Sequence, residues 1–125
     1  CFFRRCFTSN SYNWNFILQD NGSSSWGWTQ NALIQVNSAT REMRYTPEYY
    51  AYKHFSHFVA KGTEMVGYSG RQHADTPVVV FKNENGYIVA AGNFADDATT
   101  VCVKIGDKYL NMRLPAHSFN TFVER

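Results

Sequence analysis

The spacing of apolar positions divides the chain into two parts with different periods. Up to residue 62, an apolar run, a polar loop and an amphipathic pattern follow one another. After residue 62, short apolar runs alternate at every second position and are separated by turn formers. The change from a period of about 3.6 to a period of about 2 predicts two domains, 1–62 and 63–125.

The first part begins with an aromatic run at 12–18 that predicts a buried β-strand, although Asn13 and Asn15 interrupt it. A polar loop follows, and Trp26 and Trp28 come directly after that loop. Two tryptophans there offer flat apolar faces with N–H donors, a surface on which a sugar ring stacks. Two core tryptophans are the alternative. The segment NALIQV then predicts a short strand or extended segment.

An amphipathic helix is predicted next. Thr46 is a good N-cap, Pro47 suits the first helical position, and Glu48 places an acid in the first turn. Lys61 and Gly62 are typical of a helix end. One apolar stripe recurs at helical spacing and consists of Ala51, Phe55, Phe58 and Val59.

The second part predicts an antiparallel β-sandwich built from successive hairpins. Asn85-Gly86 and Gly106-Asp107 are the expected hairpin turns, and 93–98 is an expected polar loop. The predicted strands are 64–68, 77–82, 87–93, 99–105, 108–114 and 118–124.

Composition fits a folded domain and excludes several functions. The chain has 125 residues, of which 44% are apolar and 17% aromatic, enough for a core. Its net charge of +2 gives no argument for a nucleic acid or an anionic membrane as partner. The sequence contains no run of about 18 apolar residues, so it predicts no membrane-spanning helix. A secretory signal is not recognisable either, and residues 1–10 support no functional assignment.

Cysteines and histidines predict no cofactor and no metal site. The three cysteines, Cys1, Cys6 and Cys102, are an odd set without regular spacing and therefore not a disulfide framework. Cys102 alternates with apolar neighbours and is predicted to be a small packing residue. His54 and His57 lie at i and i+3 on the predicted helix, but they have no third ligand at helical spacing.

The order of these pieces resembles glycoside hydrolase family 30, the glucosylceramidase-like enzymes. The resemblance rests on Trp14-Asn15, on Trp26-Gly27-Trp28 running into QNALIQV, and on the helix TPEYYAYKHFSHFV with its following glycine. It continues through the segments that begin at TPVVVFKNENG and YLNMRLPAHSF, so that it covers most of 11–125. It implies an α+β fragment: the last strand and helix of a (β/α)8 TIM barrel, followed by an antiparallel β-sandwich domain.

The same resemblance implies that the parent protein is a retaining β-glycosidase. Such an enzyme needs two carboxyl groups about 5 Å apart. In the family both are glutamates on the fourth and seventh barrel strands, which would lie upstream of Cys1, so the isolated chain is expected to be inactive. Asp20 is the one acid in the expected site loop and is not assigned a catalytic role.

For substrate contacts the resemblance implies that Trp14 forms the floor of the glycone subsite, with Asn15 beside it. Trp26 and Trp28 would line the mouth, where the aglycone or the next sugar leaves. The expected partners are a carbohydrate or glycolipid substrate and the missing N-terminal barrel, and the parent is expected to be secreted or lysosomal-like. Family relatives carry an aspartate just before the tryptophan, whereas this chain carries Asn13. Glucosylceramide, β-glucosides and β-1,6-glucan all stay open as substrates.

Two alternatives concern the β-domain. It could be a carbohydrate-binding module, which a row of solvent-facing aromatic side chains on one sheet would support. It could instead be a purely structural brace for the barrel, and the regular alternation of its strands favours this role. The aromatic side chains that a binding row would require, Tyr68, Phe81, Tyr87 and Phe94, have no obvious common spacing.

Overall fold

A computed structural model describes residues 14–71 and 73–124 of the chain. These residues form two compact units, 14–53 and 54–124, and the division between them falls inside the helix. The predicted boundary at residue 62 concerns domains of the parent protein and stays a prediction. Within the described ranges, no helix reaches the length and apolarity that a bilayer crossing requires.

The first unit contains a small mixed sheet of three strands. They are β1 (Ile17–Gln19), β2 (Ile34–Val36) and β3 (Met43–Tyr45), in the order β1-β2-β3. β1 pairs with β2 in parallel, whereas β2 and β3 are antiparallel. The parallel pair requires a long connection between β1 and β2, and this connection carries the tryptophan loop.

The strand predicted at 12–18 is corrected in length and in burial. Residues 12 and 13 lie outside the described residues, Trp14 to Phe16 are not in a strand, and β1 runs to Gln19. Both Phe16 and Ile17 are largely exposed rather than buried. β1 lies at the edge of the described sheet, and neither buried cluster of the described residues includes Phe16 or Ile17.

The helix, α1 (Pro47–Phe58), begins where Thr46 was predicted to cap it. The Thr46 hydroxyl accepts a hydrogen bond from the Tyr49 N–H at 3.4 Å, which is the contact expected of an N-cap. The same hydroxyl lies 2.9 Å from the Leu33 carbonyl oxygen, to which it donates. Thr46 is buried, so a single side chain both starts the helix and ties it to the residue before β2.

Three tyrosines pack around this helix start. Tyr45 precedes the cap, and its ring contacts the ring of Tyr50 edge-on at a centroid distance of 6.4 Å. This pair occupies the two positions of a hydrophobic staple, which fixes the angle at which the chain enters a helix. The ring of Tyr49 lies 4.5 Å from that of Tyr45 and 5.4 Å from that of Tyr50. The staple explains why these aromatic residues cluster here.

Thr46→Val is expected to destabilise the chain by about 1–2 kcal/mol, because the isosteric methyl group neither caps the helix nor bonds to the Leu33 carbonyl. Thr46→Ser is the matched control, since it keeps the hydroxyl. Urea unfolding followed by far-ultraviolet circular dichroism measures both variants. Equal unfolding midpoints for the valine and serine variants would show that the hydroxyl contributes nothing.

The second unit contains six strands, close to those predicted. β5 and β6 are longer than β4, which is limited to three residues at the sheet edge. The four-stranded sheet has the order β4-β5-β6-β9, all antiparallel, and β7 and β8 form a separate two-stranded ribbon. The strands are β4 (Glu64–Val66), β5 (Val78–Asn83), β6 (Gly86–Asn93), β7 (Thr99–Ile105), β8 (Lys108–Leu114) and β9 (Ser118–Val123).

Both faces of the four-stranded sheet are covered. On one face Val80 and Val89 pack with Met112 and Leu114 of the ribbon, all four buried. On the other face lies a second cluster in which residues of the helix end cover the sheet: Val79, Phe81, Ile88, Phe55, Phe58 and Val59. A strand buried on both faces has no need to alternate, which is why the VVVF run of β5 is continuously apolar.

The ribbon, covered on one face, keeps the predicted alternation. Val101, Val103 and Ile105 pack towards the core, whereas Cys102 points outwards and is exposed. The prediction that Cys102 is a packing residue is therefore wrong, because in a two-stranded ribbon the outward face meets solvent. The turn at Gly106-Asp107 forms as predicted, and Gly106 adopts a φ of +60°.

The other hairpin turn is shifted by one residue from its predicted position. Glu84 and Asn85 form the turn, and Gly86 already pairs with Asn83. Gly86 has a φ of +123°, and a Cβ there would lie 2.9 Å from a carboxylate oxygen of Glu124. A glycine is therefore needed at the position after the turn.

Candidate functional site

The connection between β1 and β2 folds back on itself as a small hairpin. Ser23 and Thr29 form an antiparallel bridge, and the Ser24 N–H donates to the Trp28 carbonyl at 3.0 Å. The Gly27 N–H closes the tip by donating to the Ser24 carbonyl at 3.0 Å. Backbone hydrogen bonds thus hold the residues around both loop tryptophans.

The base of the hairpin is closed at Gly22. Its carbonyl accepts from the Gln30 N–H at 2.9 Å, and its own N–H donates to the Gln19 carbonyl at 2.9 Å. Gly22 has a φ of +55°, and a Cβ at this position would lie 2.0 Å from the Gln30 carbonyl oxygen. Only glycine fits this approach of two backbone segments.

All three tryptophans of the chain project into solvent from this unit. Trp14 is 91% exposed, Trp26 is 80% exposed and Trp28 is 66% exposed. Among the described residues, therefore, neither Trp26 nor Trp28 is covered by other side chains of this unit, and the choice between a substrate contact and a core position stays a prediction. Tryptophan is highly buried on average, so three exposed indoles near one loop are an unusual feature of the described surface. Among pairs of described residues, these indoles make no ring–ring contact with each other.

Asn15 is held against the loop. Its side-chain Nδ2 donates to Gln30 Oε1 at 2.7 Å and to the Asn31 carbonyl at 3.3 Å. The Asn15 carbonyl in turn accepts from the Leu33 N–H at 3.3 Å. Asn15 therefore connects the residues before β1 to the far side of the tryptophan hairpin.

Sequence reasoning missed Gln30. It lies two residues after Trp28, and it is the side chain that joins Asn15 to the hairpin. A polar amide in a loop has no periodic pattern, so spacing alone cannot distinguish it from a solvated residue. The signal that could have found it is its place two residues after the second of two tryptophans, in an uncharged segment.

The loop surface carries no formal charge. From 21 to 40 the sequence contains no aspartate, glutamate, lysine or arginine. Asp20, just before this segment, accepts hydrogen bonds from the Ser38 hydroxyl at 3.3 Å and from the Asn21 N–H at 3.1 Å. Exposed indoles with neutral amides and hydroxyls are suited to an uncharged, hydroxyl-rich ligand.

The two histidines of the helix, His54 and His57, contact neighbouring side chains. His54 Nδ1 and Thr121 Oγ1 are 2.9 Å apart, and the ring of His57 lies edge-on to Phe58 at 4.7 Å. Within the ranges that the structure describes, no three histidine, cysteine, aspartate or glutamate side chains gather as a metal site would require.

The aromatic residues of the β-domain do not share one surface. Phe81 is buried in the cluster with the helix end, whereas Tyr68 and Tyr87 pack against the opposite face of the sheet. The Tyr68 hydroxyl donates to the Val78 carbonyl within that packing. Phe94 is half exposed, and its ring contacts Phe119 edge-on at 5.5 Å. These residues do not form the row that a carbohydrate-binding module would present.

No protein-family model matches the sequence, and no curated protein matches it. Its fold is shared with solved structures, among them the following two. The endo-β1,6-glucanase BT3312 is 19% identical with a TM-score of 0.72, over 86% of this chain and 25% of that one. SrfJ from Salmonella typhimurium is 23% identical with a TM-score of 0.74, over 85% of this chain and 24% of that one.

These likenesses establish the fold and not the activity. The chain spans about a quarter of the length of these two solved structures. Its described residues form a mixed α+β arrangement of one helix and mostly antiparallel sheet, compatible with a β-sandwich.

Proposed function

We propose that this chain is the C-terminal part of a retaining β-glycosidase of the glucosylceramidase-like class, glycoside hydrolase family 30. The observation that carries the proposal is the exposure of Trp14, Trp26 and Trp28 around one uncharged loop, in a fold shared with an endo-β1,6-glucanase. The tryptophans form a wall that contacts the sugar, and the β-sandwich braces the barrel of the parent protein. The substrate is a carbohydrate or glycolipid with an O-glycosidic bond.

The chemistry of retaining hydrolysis indicates which part of the parent protein supplies which groups. Retaining hydrolysis requires a protonated acid at the leaving oxygen and a nucleophilic carboxylate on the other face of the sugar. Under this proposal the upstream part of the parent supplies both carboxyl groups. The chain supplies aromatic faces that hold and orient the sugar, and positioning of this kind lowers the barrier when it is realised in the transition state. The isolated chain then releases no aglycone from a β-glucoside above the blank, before or after Asp20→Asn.

In the intact parent enzyme, Trp14→Ala is expected to lower kcat/KM about 100-fold, whereas Trp28→Ala should lower it about tenfold, mainly through KM. Trp14 is proposed to touch the ring that distorts in the transition state, and Trp28 to touch the leaving side. Steady-state kinetics on an aryl β-glucoside measure both variants. An unchanged kcat/KM in Trp14→Ala would remove Trp14 from the site.

A carbohydrate-binding module in the β-domain is the second candidate. The division of its aromatic residues between two faces favours the structural brace instead. Retention of the whole chain on immobilised β-glucan distinguishes the two candidates. If the tryptophans form the sugar-binding wall, a triple alanine variant of Trp14, Trp26 and Trp28 is no longer retained. Undiminished retention of that variant would place binding in the β-domain.

A further inference from the structure

The side-chain amide of Gln30 is fixed in orientation by Asn15. The Asn15 Nδ2 can only donate, so the Gln30 atom at 2.7 Å is the amide oxygen. The Gln30 Nε2 is therefore the outward end of the amide and carries two N–H donors. Among the described residues, no hydrogen-bond acceptor contacts this nitrogen, and the side chain is half-buried rather than freely solvated.

The Gln30 backbone is fixed as well. Its N–H donates to the Gly22 carbonyl at 2.9 Å, at the point where a Cβ on Gly22 would lie 2.0 Å from the Gln30 carbonyl oxygen. The Nε2 donor therefore belongs to a residue whose side chain is held by Asn15 and whose backbone is held by Gly22. A hydrogen-bonding group held in this way loses little conformational entropy when it binds a ligand.

The amide shares a face with an exposed indole. Thr29 pairs with Ser23 in an antiparallel bridge, so the chain is extended there. In an extended chain the two residues that flank Thr29 project to the same face, which is opposite to the face of Thr29. These residues are Trp28 and Gln30. A pyranose that stacks its C–H face on Trp28 presents its ring-edge oxygens sideways, towards side chains that project from the same face of the hairpin.

We propose that Gln30 is a sugar-binding residue, whose Nε2 donates a hydrogen bond to an edge oxygen of the neutral pyranose stacked on Trp28. The inference rests on the proposed function and deepens it. Because the amide oxygen is already engaged by Asn15, the residue acts towards the ligand as a donor only. It selects a ligand atom that accepts, such as a ring or glycosidic oxygen.

The test is a titration of the whole chain with a β-1,6-linked glucose oligosaccharide, followed on the Trp28 indole N–H signal by NMR. Gln30→Met removes the donor, and Gln30→Glu keeps an oxygen for Asn15 but replaces the donor with an acceptor. Both variants are expected to bind about three- to tenfold more weakly, the effect of one hydrogen bond. In Gln30→Glu, which keeps the Asn15 contact, the pairing of Ser23 with Thr29 should stay intact, as seen in unchanged nuclear Overhauser contacts between the two residues.

Gln35→Met, a half-buried glutamine on β2 of the same unit, is the matched control and should bind like the wild type. Wild-type affinity in Gln30→Met or Gln30→Glu overturns the assignment. Loss of the Ser23–Thr29 contacts in ligand-free Gln30→Glu, which keeps an oxygen for Asn15, also overturns it, because that loss makes Gln30 a structural residue. If the wild-type chain itself shows no shift, or Trp28→Ala binds like the wild type, the proposed function fails and the Gln30 assignment fails with it.

Discussion

Asn93→Asp is expected to destabilise the chain by about 4 kcal/mol at neutral pH. Asn93 is fully buried at the end of β6, and its Nδ2 lies within 2.8–3.2 Å of three carbonyl oxygens. Its Oδ1 accepts from the Ala95 N–H at 3.1 Å. Aspartate would turn the donor into a second acceptor and place a buried negative charge against those carbonyl oxygens, which belong to Asp97, Leu114 and Pro115.

The pH dependence of this variant has a definite sign. Burial without a cationic partner raises the pKa of the new carboxyl group above its unfolded value of about 3.9. The variant is therefore relatively most stable below about pH 4, and it loses stability as the pH rises through the raised folded pKa. Protonated aspartate has one O–H, so it can satisfy one of the three carbonyls but not all.

Urea unfolding at pH 4 and pH 7 measures this effect, with Asn111→Asp as the control. Asn111 is exposed on the outer face of β8, and its substitution should change the unfolding free energy by less than about 0.5 kcal/mol. If the unfolding free energy of Asn93→Asp at pH 7 equals that of Asn111→Asp, Asn93 is not the donor that joins β6 to the ends of two neighbouring segments.

Gly22→Ala is expected to disrupt the tryptophan hairpin at a cost of roughly 3 kcal/mol, the sum of left-handed strain and a lost buried hydrogen bond. The new Cβ would lie 2.0 Å from the Gln30 carbonyl oxygen, and backbone cannot move aside as a flexible side chain can. The Gln30–Gly22 hydrogen bond would break, and the anchored position of Trp28 would be lost with it.

Gly27→Ala is the matched control for Gly22→Ala. Gly27 also has a positive φ, of +76°, but a Cβ there meets no atom within 4 Å. It should therefore cost only the strain of the left-handed conformation, about 1–2 kcal/mol. Indole N–H signals that move in Gly27→Ala as much as in Gly22→Ala would show that the close approach at Gly22 is not what shapes the loop.

The β-domain could be predicted because its signals are local. Alternating apolar positions and a Gly-Asp turn define β7 and β8 by themselves. The cap at Thr46 is equally local, since it depends on a residue and its next three neighbours. By contrast, β3 is a three-residue exposed strand, and its existence depends on pairing with β2 rather than on its own composition.

The candidate site could be predicted in part. Trp14, Trp26 and Trp28 stood out as residue types, but an indole is equally at home in a core, and exposure depends on tertiary packing. The Asn15–Gln30 bond joins side chains 15 positions apart through a hairpin closed at a glycine. A contact of that kind follows from the path of the backbone, which periodicity does not reveal.

The surface around the three tryptophans is most directly tested by an NMR titration of the 125-residue chain with a β-glucan oligosaccharide. Each tryptophan contributes one indole N–H signal, which single substitutions to phenylalanine assign. We expect the Trp28 signal and at least one of the Trp14 and Trp26 signals to shift in a saturable manner, while the signals of β7 and β8 stay in place. Indole signals that remain fixed at saturating oligosaccharide, with shifts confined to the β-domain or absent, would contradict it.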